Sequence, residues 1–188
     1  MSQSDERVAR EQVQKLLGEL GKLQADPLNE GMLQINPPDT EAIEALQSHY
    51  HAAPEFLEFV KTVGELHCWA NHGFSWYTPK PVSKWPSNSG QGWYVDEGDQ
   101  AILPDYFLCF AEDGGEGIVY FFDSRTSPWE ILVADFIELI YDRDLLKKTI
   151  AAGGQPGQNP WVTYPEVLAA LAEIARDEIV STSEPANG

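Results

Sequence analysis

Three stretches in the first third of the chain carry apolar residues at helical spacing. Between Asp5 and Gln24 they recur every three or four positions, which is typical of a helix with one buried face. Asp39 or Thr40 can N-cap a second helix, which stops before Pro54. Pro54 suits the first turn of a third helix that ends near Gly64. The sequence therefore predicts a helical N-terminal third.

From about Cys68 the pattern changes to short runs of aromatic and β-branched residues separated by turn-forming residues. The segment Pro79–Gly92 is rich in Pro, Ser and Gly and is predicted to be a long loop. The predicted strands are Phe74–Thr78, Trp93–Val95, Tyr106–Ala111, Ile118–Asp123 and Trp129–Val133. The third and fourth of these flank an Asp-Gly-Gly turn and are apolar on both faces. They predict an antiparallel hairpin of central strands that are covered on two sides.

Helical spacing returns after the last predicted strand. One helix is predicted from about Ala134 to Ile150, and a second begins after a Gly- and Pro-rich break. Thr163 and Glu166 have the spacing of a capping box for this last helix, and the tail is expected to fray from Ser181. The order of helices, β-meander and helices is typical of the α+β class.

Composition and charge restrict the class of protein further. The 188 residues include 30 acidic and 12 basic ones, a net charge of −18, with 43% hydrophobic residues. This charge repels phosphate backbones and argues against nucleic-acid binding, whereas the hydrophobic fraction supports a folded core. Neither a membrane-spanning run nor a secretion signal is expected. Because two cysteines cannot form a disulfide framework, we expect a reducing, cytoplasmic compartment.

The acidic excess is concentrated in the β-rich part of the chain. Thirteen acidic and two basic residues lie between Trp85 and Leu146, a net charge of −11. Such one-sided charge steers a cationic partner, although it also serves solubility alone.

Motifs for catalysis or for a cofactor are weak. His67, Cys68 and His72 lie within six residues and are of metal-ligand type, but their spacing matches no closed four-ligand site. Cys109 lies in an apolar strand, where a thiol is usually inert. The glycines after Asp113 precede a strand rather than a helix, so they do not predict a phosphate loop. We therefore predict no catalytic residues and no cofactor.

Four segments of the chain resemble segments of one known family. Leu108–Asp123 is similar to its Phe-Ala-x-Asp-Gly-x-Gly-Asp hairpin. The segments Asp39–Ile43, Ala53–Val60 and Ala134–Ile140 are similar to its opening helix, its Leu-Pro segment and its closing helix. On these residues the chain resembles the SUKH superfamily, which includes the yeast Smi/Knr cell-wall regulators and many bacterial immunity proteins. The resemblance covers about residues 33–150.

The resemblance implies an α+β domain with a twisted antiparallel sheet, flanking helices and no catalytic residues. Residues 1–32 would then be an N-terminal helical extension. Residues 151–188 would be a C-terminal helix and disordered tail packed on the same single domain.

The leading functional prediction is a non-enzymatic immunity protein that binds and neutralises a basic protein toxin, such as a nuclease. Trp85 and Trp93 are the predicted hydrophobic anchors. The predicted acidic face consists of Asp96, Glu97, Asp99, Glu112, Asp113 and Glu116. Two alternatives remain open at this point: a regulatory or scaffolding adaptor, and a metal-dependent hydrolase that uses His67, Cys68 and His72.

Overall fold

The computed structural model describes residues 3–70, 73–81, 84, 104–113, 118–135 and 163–183. The fold is α+β. In these residues the helices are α1 (Gln3–Gln24), α2 (Thr40–Ser48), α3 (Pro54–Val63) and α4 (Tyr164–Ser183), with a short 3-10 helix at Pro27–Asn29. The strands are β1 (Leu33–Asn36), β2 (Glu65–Cys68), β3 (Phe74–Pro81), β4 (Phe107–Asp113), β5 (Ile118–Asp123) and β6 (Glu130–Asp135).

The six strands form one antiparallel sheet in the order of the chain. Strand pairing places His67 opposite Ser75, Ser75 opposite Glu112, and Glu112 opposite Val119. These four residues form a row across β2–β5 on one face of the sheet, because directly paired residues point to the same side. The neighbouring row belongs to the opposite face.

That opposite face carries the hydrophobic core. Its row contains Leu66, Trp76, Ala111 and Tyr120, which are all buried. All four helices turn apolar side chains toward it. The helical contributors include Val13, Leu16, Leu20, Leu46, Leu57, Val60, Leu168 and Ile179. Residues of α1 and α4 therefore share one core with the sheet.

Four helices and the central hairpin agree with the predictions. The N-cap of α2 is Asp39, whose Oδ1 accepts hydrogen bonds from the backbone N–H groups of Glu41 and Ala42. At the start of α4, Oε2 of Glu166 accepts a hydrogen bond of 2.9 Å from the backbone N–H of Thr163, as a capping box requires. Strand β5 has the predicted bounds. Both faces are buried over Phe107–Ala111 of β4 and Val119–Asp123 of β5.

Other predictions were wrong at their boundaries. Strand β3 continues to Pro81, so the predicted loop does not begin at Pro79; a shift in register between Trp76 and Lys80 accommodates the prolines. Strand β6 extends through Asp135, so no helix begins at Ala134, and α4 remains helical past Ser181. The short strands β1 and β2 were not predicted. The predicted strand Trp93–Val95, and the rest of the predicted loop and helix, lie outside the described residues.

Candidate functional site

A polar and aromatic cluster lies on the face of the sheet that is opposite the helical core. Strand β2 turns Leu66 and Cys68 into the core, so alternation places Glu65 and His67 on the other face. Strand β3 adds Ser75 and Tyr77 to this face, and β4 adds Glu112. The aromatic–acidic cluster, as we name it, consists of His67, Trp69, Ser75, Tyr77 and Glu112.

The members of this cluster form a continuous series of side-chain contacts. The indole of Trp69 stacks on the imidazole of His67, with 5.8 Å between ring centroids and 15° between planes. The ring of His67 meets that of Tyr77 edge-on at 5.2 Å. His67 Nδ1 lies 3.1 Å from Ser75 Oγ. The hydroxyl of Tyr77 donates a hydrogen bond of 2.5 Å to Oε1 of Glu112. These contacts connect an exposed aromatic ring to a carboxylate.

Exposure varies among the residues on this face of the sheet. Cys109 and Phe121 are completely buried, and Ser75 is also buried. His67, Tyr77 and Glu112 are half-buried, whereas Trp69 is 55% exposed. Trp69, just after the end of β2, is thus the most accessible member of the cluster.

Burial determines the protonation states in the cluster. It lowers the pKa of His67, with the charge of Glu65 opposing the shift, so the imidazole is neutral at physiological pH. Burial also raises the pKa of Glu112, and the hydrogen bond from Tyr77 opposes that shift. Burial and the neighbouring Glu112 raise the pKa of Tyr77, which keeps its hydroxyl protonated as a donor.

The described residues do not bring the predicted hydrolase ligands together. His67 and Cys68 are adjacent on strand β2, and their side chains point to opposite faces of the sheet. His72 is outside the described residues. Within residues 3–70, 73–81, 84, 104–113, 118–135 and 163–183 no group of three or more His, Cys, Asp or Glu side chains could hold a metal ion.

Nucleophilic chemistry has little support in the described part of the chain. Both Cys68 and Cys109 are buried, and burial raises the pKa of each thiol, which disfavours the reactive thiolate. Ser75 is within hydrogen-bond reach of His67, but its hydroxyl is buried in the sheet and faces its cross-strand partner.

Most of the predicted binding residues lie outside the part of the chain that the structure describes. Glu112 lies on β4 as one end of the aromatic–acidic cluster, and Asp113 ends the same strand, although the Asp113 side chain is not among those described. The other six predicted residues, Trp85, Trp93, Asp96, Glu97, Asp99 and Glu116, lie outside the described residues. Sequence reasoning missed Trp69 and Tyr77 as site residues. Alternation of polar and apolar residues from Glu65 onward is the signal that identifies this face once β2 is recognised.

A concave surface lies on the helical side of the sheet. A cavity of about 490 Å³ is bounded by α1, α3, the β5–β6 connection and α4, with mainly apolar walls that include Phe56, Phe122 and Trp129. At its mouth Arg10 donates to Oε1 of Glu6 and to the backbone carbonyl of Glu55, and it packs over the ring of Phe59. Because this guanidinium already has partners within the chain, the cavity presents mainly apolar surface.

The buried Tyr164, which lines this cavity, provides a test of the packing. Its ring packs among aromatic rings that include Phe56 and Phe110, but its hydroxyl has no hydrogen-bond partner in the described part of the structure. A buried unsatisfied hydroxyl costs about 1–3 kcal/mol. Tyr164→Phe is therefore expected to raise the free energy of unfolding by about 1 kcal/mol, as measured by urea denaturation.

Tyr50→Phe is the matched control for this substitution. The hydroxyl of Tyr50 donates a hydrogen bond of 3.0 Å to the backbone carbonyl of Asp105. Its removal is expected to lower the free energy of unfolding by about 1 kcal/mol. A loss of similar size for Tyr164→Phe would contradict the argument from the unsatisfied hydroxyl.

Comparison of the chain with protein-family models, with curated proteins and with solved structures gives no match. The likeness to the SUKH superfamily therefore stays a prediction from the sequence. None of the helices described here has a stretch that is long and apolar enough to cross a bilayer.

Proposed function

We propose that the chain is a non-enzymatic, cytoplasmic protein-binding domain of the toxin-immunity type, which binds and occludes a basic protein. The observation that carries the proposal is the imbalance of charge, a net −18 over 188 residues. An uncompensated acidic surface accelerates encounter with a cationic partner and disfavours acidic ones.

The distribution of ion pairs supports this proposal. In the described part of the chain, seven basic side chains each lie within 4.0 Å of a carboxylate: Arg7, Arg10, Lys15, Lys61, Lys80, Arg125 and Arg176. Local pairing neutralises these cations, so the surplus carboxylates dominate the potential that an approaching protein meets. The immunity function is supported by the family resemblance, in which bacterial members commonly neutralise a toxin.

Affinity capture followed by salt titration tests the proposal. The chain is immobilised and used to capture partners from the cell that encodes it, and each purified partner is then titrated by calorimetry. We expect a basic protein whose dissociation constant rises by about tenfold or more between about 0.05 and about 0.5 M NaCl, because salt screens exposed charge pairs. Co-expression of the chain is expected to abolish the toxicity of that partner.

Two results would contradict parts of the proposal. Binding that is insensitive to salt, or a partner with an acidic contact surface, would contradict the electrostatic mechanism. A basic partner that is harmless when expressed alone would contradict the immunity function and favour the adaptor alternative.

A further inference from the structure

We propose that the aromatic–acidic cluster is the receptor for an arginine side chain of the basic partner, with Trp69 as the aromatic face and Glu112 as the carboxylate. This inference rests on the proposed function and deepens it, because it names the side chain that is recognised and the place where it binds.

Trp69 supplies an accessible and pre-organised aromatic face. One side of its indole is covered by the imidazole of His67, while 55% of the residue is exposed. Its backbone N–H donates a hydrogen bond of 2.8 Å to the carbonyl of Met32, which ties the residue to the neighbouring chain segment. Tryptophan is the best aromatic partner for a cation, and a planar guanidinium stacks on it particularly well.

Glu112 supplies a carboxylate that has no counter-ion among the described residues. Its hydrogen-bond donor is the neutral phenol of Tyr77, and among the described residues no base lies within 4.0 Å of it. Two other carboxylates that are shielded from water do have a basic partner: Asp39 has Lys80, and Asp123 has Arg125. A guanidinium from a partner would provide the charge-assisted hydrogen bonds that Glu112 lacks.

The groups between Trp69 and Glu112 favour a cation. Burial lowers the pKa of His67 and keeps its ring neutral, so the imidazole does not repel a positive charge. Glu65 lies on the same strand two residues before His67, where its Oε1 accepts a hydrogen bond of 3.0 Å from the backbone N–H of Thr78. A second fixed carboxylate therefore adds negative potential beside the cluster.

Fluorescence anisotropy with labelled peptides tests the inference. The probes are three fluorescein-labelled Gly/Ser peptides of equal length, which carry two arginines, two lysines or two citrullines. We expect the arginine peptide to bind about fivefold or more tightly than the lysine peptide, because lysine cannot stack and pair in a bidentate manner. The citrulline peptide, which lacks the charge, is expected not to bind measurably.

Three variants locate the site, and two others serve as controls. Trp69→Ala and Glu112→Gln are each expected to weaken binding of the arginine peptide by about tenfold, whereas Trp69→Phe keeps most of the affinity. Glu112→Gln preserves the shape of the side chain and an acceptor for Tyr77, so it tests charge with the fold intact. Leu28→Ala removes a comparably exposed apolar side chain, and Glu11→Gln removes an equal charge from α1. Both controls are expected to bind like the unmodified chain.

The outcomes separate this inference from the proposed function. Salt-sensitive peptide binding that is unchanged in Trp69→Ala and Glu112→Gln would overturn the arginine site while leaving the binding of basic partners in place. Equal affinity for the arginine and lysine peptides would overturn the selectivity for arginine. Failure of both basic peptides to bind at low salt would count against the proposed function itself. Thermal unfolding of each variant checks that the fold is retained.

Discussion

Replacement of Gly64 by alanine is expected to lower the free energy of unfolding by about 3 kcal/mol or more. Gly64 joins α3 to β2 with φ 59° and ψ −144°, a conformation that residues with a Cβ atom rarely adopt. A Cβ atom at this position would also clash with the backbone carbonyl oxygen of Asn36. Because that oxygen belongs to β1 and not to a flexible side chain, relief of the clash requires displacement of a paired strand.

Gly18→Ala is the matched control for Gly64→Ala. Gly18 lies within α1, and an added Cβ atom meets no other atom within 4 Å. Alanine is expected to stabilise the helix there by about 0.5–1 kcal/mol, because glycine loses more backbone entropy on folding. Urea denaturation of both variants should give effects of opposite sign. Equal effects would contradict the assignment of the Gly64 penalty to its local backbone.

The position of Gly64 also affects the aromatic–acidic cluster. Its carbonyl accepts a hydrogen bond of 3.2 Å from the indole Nε1 of the buried Trp76, which lies on the adjacent strand β3. Gly64 therefore helps to set where β2 begins relative to β3. A shift of one residue would turn His67 into the core and Cys68 toward the cluster, since side chains alternate along a strand.

Local patterns were enough to predict the helices and the central hairpin. In α1, Val13, Leu16 and Leu20 recur at helical spacing, and all three are buried in the core. Asp39 caps α2 through its own side chain, a contact between residues that are close in sequence. The strand Ile118–Asp123 combines a glycine turn with a dense apolar run. In each case the interactions that determine the element are between residues close in sequence, or the spacing of apolar residues identifies it clearly.

The aromatic–acidic cluster depends on contacts that the sequence does not show. Strands β1 and β2 have four residues each, too few for a clear alternation, and β2 pairs with a strand about 30 residues earlier in the chain. Only the strand register places Glu112 beside Ser75 and Ser75 beside His67. The exposure of Trp69 likewise follows from tertiary structure, because the position of a tryptophan in the sequence does not show whether its side chain is buried or exposed.

Asp123→Asn is expected to lower the free energy of unfolding by about 2 kcal/mol at neutral pH. Asp123 is 1% exposed at the end of β5. Its Oδ1 accepts from the backbone N–H and Nε of Arg125, and its Oδ2 accepts from Nη2 at 2.7 Å. An asparagine turns one amide donor toward the guanidinium and loses the charge. Because the Arg125 side chain is 43% exposed, the expected loss is smaller than for a fully buried ion pair.

The pH dependence of the stability loss in Asp123→Asn shows whether the ion pair with Arg125 causes it. Hydrogen bonds from the Arg125 side chain lower the pKa of Asp123, while burial opposes the shift. A lowered folded-state pKa gives stabilisation that is complete above the ordinary aspartate value near 3.8 and is lost as pH falls through the folded-state value. Urea denaturation should thus show a difference in the free energy of unfolding between the unmodified chain and Asp123→Asn that is constant from neutral pH down to the ordinary aspartate value. This difference should narrow as pH falls further, through the folded-state pKa of Asp123.

Glu58→Gln, which removes an exposed partner of Lys61, is the control and is expected to change the free energy of unfolding by less than about 0.5 kcal/mol. A gap for Asp123→Asn that persists undiminished in acid would show that steric fit, and not the ion pair with Arg125, stabilises this turn.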